Sequence, residues 1–149
     1  NAILKFADLQ NNREKDYIFD INKFSDVQGK TGPYILYTSL RIKKILKSLD
    51  VKPTIFENNI YNEQDRDLRM KLLEVKNVID KAASERMPHY IADYLYELCV
   101  VTNTFYQNNN ISNLKDKIQQ NEWLNLMEMV YEILESLLNL LVIKIPSKM

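Results

Sequence analysis

The residues with most chemistry to offer lie between Gly29 and Lys47. Tyr34 and Tyr37 follow a Gly29-Lys30-Thr31-Gly32-Pro33 turn, and Arg41, Lys43, Lys44 and Lys47 continue the same run. A phenol ring presents a flat face for an unpaired base and a hydroxyl for its edge, and a row of cations meets phosphates. The chemistry on offer is therefore non-covalent capture of a nucleic-acid loop. The same residues also suit a capped helix whose tyrosines pack and whose lysines are solvated, and the pattern alone leaves both open. Other chemistries are poorly served. Cys99 and His89 are the sole residues of their types, so neither a disulfide nor a Cys/His zinc site can be built. Cys99 sits in the apolar run Leu98-Cys99-Val100-Val101, where buried packing is expected, and His89 follows Pro88 at a helix start, which suits a capping or surface role. No nucleophile–base–stabiliser set or glycine-rich phosphate loop is present, and carboxylates are scattered along helical faces where solvation is the default.

Charge sharpens the picture through its distribution. The chain carries 20 basic and 20 acidic residues, whereas a protein that coats nucleic acid indiscriminately is usually basic. Positive charge concentrates in the Arg41–Lys47 stretch, and Glu122, Glu128, Glu132 and Glu135 make the final segment acidic. An anionic ligand is drawn to one part of such a surface and kept from another.

Helices must position these groups. Ile3 to Leu9 reads as a short helix, and Tyr17-Ile18-Phe19-Asp20-Ile21 alternates in a way that predicts an extended piece. Gly29 and Gly32 are the chain's two glycines, and both are expected to supply positive φ in the turn before a helix from Pro33 to about Leu49. Ile35, Ile42, Ile45, Leu46 and Leu49 form its core face, and Pro53 with Asn58-Asn59 marks a loop. Asn62 offers an N-cap, with Glu63 and Asp65 complementing the dipole of the next helix. Leu68, Leu72, Leu73 and Val75 give it an apolar stripe, and Val78, Ile79, Ala82 and Ala83 continue into another short helix. Pro88 starts a helix carrying Ile91, Leu95, Leu98, Val101, Thr102 and Phe105, which the Asn108-Asn109-Asn110 run ends. Ser112 is a candidate cap for a short piece, and a long last helix from Glu122 to Leu141 carries Leu126, Met129, Ile133, Leu137 and Leu140, with Trp123 as a packing residue. The fold class is an all-α helical bundle, expected as one domain over 1–149. No apolar run nears the ~20 residues a membrane helix needs and no signal pattern opens the chain, so a cytoplasmic protein without membrane contact is expected.

The Gly29-to-Tyr37 run followed by Arg41-Ile42 resembles the opening of the anticodon-binding (DALR-type) domain of arginyl-tRNA synthetases, which in many members reads Gly-Asn-Thr-Gly-Pro-Tyr-Leu-Gln-Tyr, then Arg-Ile. Three further stretches are similar in the same order: Lys5–Leu9 with Tyr17–Asp20; then Pro88-His89, Ala92, Tyr94-Leu95-Tyr96, Leu98 and Asn103–Tyr106; and the tail Leu140–Met149. Leu36 stands where the family usually has Gln, Thr38-Ser39-Leu40 replaces Ala-His-Ala-like residues, and Leu137 and Val142 occupy positions that are commonly Gly.

The resemblance implies a helical-bundle fragment of a larger arginine–tRNA ligase, whose partners are the anticodon loop of arginine-accepting transfer RNA and the catalytic domain of its own chain. The ATP and arginine chemistry would reside upstream, because the His-Ile-Gly-His-like and Lys-Met-Ser-Lys-Ser-like signatures are absent here. No cofactor, metal or catalytic residue is expected in this stretch, and a monomer is. By motif, bases would meet Tyr37, Tyr106 and the terminal Met149, with Tyr34 and Arg41 beside them on the opening helix. A helical protein-docking domain, or a divergent paralogue with redirected recognition, stays open at this point.

Overall fold

The computed structural model describes residues 2–49 and 59–147. Among these described residues, seven α-helices and one 3-10 turn follow in order: α1 (Ala2–Leu9), α2 (Ile21–Ser25), α3 (Gly32–Ser48), α4 (Glu63–Leu73), α5 (Val75–Glu85), α6 (His89–Asn108), the turn Ile111–Asn113, and α7 (Lys117–Leu140). No strand occurs among the described residues, so the all-α expectation stands. The loop expected at Pro53 and Asn58 lies outside the described residues.

Helix α6 is the central element, packing against α3, α4, α5 and α7, while α3 also lies against α1 and α7. Its buried residues Ile91, Leu95, Leu98, Thr102 and Phe105 repeat at helical spacing, and all but Thr102 join one hydrophobic cluster with Phe6, Ile35, Ile42, Leu68, Met127 and Leu134. Burial of such side chains contributes about 1.5–3 kcal/mol each. Cys99 is fully buried in this cluster, and burial pushes its thiol pKa well up, so it is a packing residue.

The glycine-rich turn works differently from expectation. Gly29 alone takes positive φ, at 79°. Gly32 is required by proximity instead, since a Cβ there would stand 3.0 Å from the Ala2 carbonyl oxygen and 3.1 Å from the Phe6 Cβ. It lets the start of α3 touch α1. Thr31 caps α3 by accepting from the Tyr34 backbone N–H at 3.2 Å, Pro33 follows within the first turn, and Lys30 pairs with Asp93 of α6. These ties fix the rotation of α3, and hence which residues it turns outward.

Several local readings are corrected. The extended piece expected over Tyr17–Ile21 joins no sheet among the described residues and ends a residue early: Asp20, itself extended at φ −121° and ψ 109°, caps α2 from Ile21 onward by accepting from the backbone N–H of Asn22 at 2.9 Å. Val75 begins α5 rather than extending α4, while Leu73, Met129 and Leu140 are exposed. Ser112 lies inside the 3-10 turn, and α7 starts earlier than Glu122 because Asp116 caps it, accepting from Ile118 N–H at 2.9 Å. Glu122 is buried rather than solvated: it faces the Tyr61 hydroxyl, whose pKa is raised first by burial and then by that carboxylate. Asp65 is likewise buried, and beyond its place near the start of α4 it accepts from Arg69 Nε at 2.6 Å and from the Tyr61 backbone N–H at 3.0 Å.

Candidate nucleic-acid interface

A groove of about 810 Å³ runs along the outward face of α3. Tyr37, Arg41, Lys44 and Ser48, at spacings of four, three and four, make its floor, with Leu40, Lys43 and Lys47 beside them. Tyr106 from the last turn of α6, Ser112 from the 3-10 turn and Ser147 from the tail supply the far side. Among the described residues, no carboxylate lines it. Arg41, Lys43, Lys44 and Lys47 also form no ion pair among the described residues, so their charge is available to an anionic ligand.

Two cations of α3 rest on rings. The Arg41 guanidinium carbon lies 4.3 Å from the centroid of Tyr106, and Lys43 Nζ lies 5.6 Å from that of Tyr131 on α7. Both are within cation–π range. Tyr37 differs in being half exposed, at 52%, with its ring available to the groove.

The far wall is held from behind. Phe105, next to Tyr106, points into the core and meets Trp123 edge-on with centroids 5.2 Å apart, which confirms packing for that tryptophan. Asn109 ends α6 by donating to the Phe105 carbonyl at 2.8 Å and accepting from Asn62 at 2.7 Å. The 3-10 turn bearing Ser112 is fixed by Gln120 Nε2, which donates to the Ile111 carbonyl at 2.7 Å. After α7, Val142 takes a left-handed φ of 57° and Ile143 is buried, and this reversal directs the tail back to the groove.

Of the residues singled out from sequence, Tyr37, Arg41 and Tyr106 come together in this groove. Tyr34 does not line it. Its hydroxyl accepts from Asn103 Nδ2 at 3.0 Å, its ring sits 5.7 Å from that of Tyr96, and burial raises its pKa. The same Asn103 amide donates to Thr38 Oγ1 at 3.0 Å, so Tyr34 belongs to the α3–α6 seam. Met149 lies outside the described residues; Ser147 is the described tail residue nearest the end that reaches the groove. Sequence reasoning missed Leu40, Ser48, Ser112 and Ser147. Ser48 was recoverable from its helical spacing to Lys44, whereas Ser112 and Ser147 reach the groove only through tertiary packing.

The DALR anticodon binding domain family matches residues 35–149. Arginine–tRNA ligases from Alkaliphilus oremlandii and from Francisella tularensis subsp. novicida are 36% and 35% identical over 99% of this chain, which spans 26% and 27% of their lengths. The chain thus corresponds to about a quarter of these relatives. Among solved structures, arginyl-tRNA synthetase from Thermus thermophilus superposes with a TM-score of 0.89 at 24% identity, covering 99% of this chain and 26% of that one. The Plasmodium falciparum arginyl-tRNA synthetase gives 0.83 at 25% identity over the same shares. With the family match extending from the first turns of α3 to the chain end and the bundle shared throughout, this chain belongs to the DALR anticodon-binding domain family.

Proposed function

We propose that this chain is the anticodon grip of an arginine–tRNA ligase, and that its groove receives the anticodon loop of arginine-accepting transfer RNA. The observation that carries the reading is a groove lined by four cations and, among the described residues, no carboxylate, with the exposed ring of Tyr37 on its floor. Cations position a phosphate backbone, and aromatic faces take bases that have left the stack. On this reading, ATP-dependent joining of arginine to transfer RNA would belong to the remainder of the parent protein. That remainder would also act as partner to this bundle and supply the acceptor-end contacts. Isolated, the bundle should bind weakly, because contacts made by a tethered partner no longer raise the effective concentration.

A titration with arginine-accepting transfer RNA and a control transfer RNA at several salt concentrations tests this. If all four cations meet phosphates, log affinity should fall against log salt with a slope of about −3 to −4. Tyr37→Ala should weaken binding by about 1–3 kcal/mol, with helical circular dichroism unchanged. Equal affinity for both transfer RNAs together with no effect of Tyr37→Ala would reject the reading and favour a helical protein-docking role.

A further inference from the structure

Tyr106 is not an open platform. Its ring packs against the hydrophobic cluster, and the Arg41 guanidinium sits over it at 4.3 Å. A base entering the groove finds that ring already covered. The guanidinium has no carboxylate partner among the described residues, and Arg41 lines the groove. A guanidinium is planar and weakly hydrated, so it can stack on a ring and accept a base in turn.

We infer that Arg41 is itself a stacking surface for an unpaired base, and that Tyr106 is a positioning residue acting through it. The order of stacking would be base, guanidinium, phenol ring, with the core behind. The inference rests on the groove being an RNA site. It changes the role that resemblance gives to Tyr106, from a base contact to a support. It also sets the geometry of the loop. Tyr37 and Arg41 are four residues apart on α3, so their side chains leave the helix about 6 Å from one another along its axis. Stacked rings stand about 3.5–4 Å apart. Two bases lying on these supports would therefore be separated from each other, each held by the protein rather than by its neighbour.

The arrangement in series has a thermodynamic signature. The probe is an anticodon stem–loop transcript of an arginine-accepting transfer RNA, titrated into the chain carrying Arg41→Ala, Tyr106→Ala, both together, Tyr106→Phe and Arg41→Lys. Arg41→Ala should weaken binding by about 5- to 150-fold. Tyr106→Ala should do so by less, and the double variant by no more than Arg41→Ala alone, because the support has no task once its stacking surface is gone. Tyr106→Phe should bind as the parent does. Arg41→Lys should lose most of what Arg41→Ala loses while keeping the salt dependence, since the charge stays and the plane goes. Melting curves of each variant separate misfolding from lost contact, and Tyr106→Phe with Arg41→Lys tests the inference without emptying any site. Losses that multiply in the double variant would show that Tyr106 meets the base on its own account, and an Arg41→Ala chain that binds unchanged would show that Arg41 is no stacking surface; either overturns the inference. Failure of the unmutated chain to bind the stem–loop would instead overturn the RNA reading, and this inference with it.

Discussion

Val142→Gly should stabilise this bundle although it deletes a whole side chain. Val142 sits just beyond the C-terminus of α7 with φ at 57°, in the left-handed region. Its N–H donates to the Asn139 carbonyl and the Ile143 N–H to the Leu138 carbonyl, both at 2.9 Å. That pair of bonds is the Schellman closure, a position where glycine is strongly preferred. A residue with a Cβ loses about 1–2 kcal/mol there, and a β-branched one belongs at the upper end of the range. Little burial would be lost, because Val142 is 69% exposed. Against the relief stands the extra freedom that glycine has in the unfolded chain, roughly 0.5–1 kcal/mol. The net is a gain of about 0.5–1 kcal/mol, or a rise in Tm of about 1–4 °C for a domain of this length. Calorimetry or thermal circular dichroism checks it, with Val142→Ala as the control that removes the branch but keeps the Cβ and should gain less. A lower Tm for Val142→Gly would refute the reasoning, by showing that the valine side chain contributes more than its backbone strain costs.

The buried Asp65 accepts from Arg69 and from the Tyr61 backbone, so Asp65→Ala should cost about 2–4 kcal/mol in urea unfolding, less than a fully enclosed ion pair because Arg69 is partly exposed. Burial raises the Cys99 thiol pKa in the folded state, so the unfolded thiol ionises first. Stability is then full below the ordinary thiol pKa of about 8.5 and falls above it by about 1 kcal/mol per pH unit. Urea midpoints compared at about pH 7.5 and 9.5 should drop less for Cys99→Ala than for the parent chain, and the native thiol should resist Ellman's reagent.

The sequence was most legible where a local signal and the tertiary answer coincide. Pro33 for α3, Asn62 for α4 and the Asn108–Asn110 run at the end of α6 are local hydrogen-bonding or backbone devices, and each acts where its chemistry predicts. Helix α7 shows where such reading fails. Of the expected stripe, Leu126 and Leu137 are buried but Met129 and Leu140 are exposed, and the rest of the buried side is made by Trp123, Met127, Val130, Leu134 and Leu138. Apolar residues occupy two overlapping stripes of this helix, and the side covered by α3 and α6 is a property of the packing. The burial of Glu122 was illegible for a similar reason, since its partner Tyr61 meets it only after folding. In the groove, the cations and Tyr37 were legible because all lie on α3. The covering of Tyr106 by Arg41 was not, as it joins residues 65 positions apart on two helices.

Base recognition in the groove is the central claim, and exchanging the anticodon tests it most directly. Two stem–loop transcripts, identical except that one carries an arginine anticodon and the other a non-arginine triplet, would be titrated into the chain at one fixed salt concentration. Phosphate contacts are the same in both, so any difference reports base contacts alone. The account predicts that the arginine anticodon binds at least about tenfold more tightly and that Tyr37→Ala narrows the gap. Equal affinities, unchanged by Tyr37→Ala, would contradict it and leave the groove a phosphate-binding surface that does not read bases.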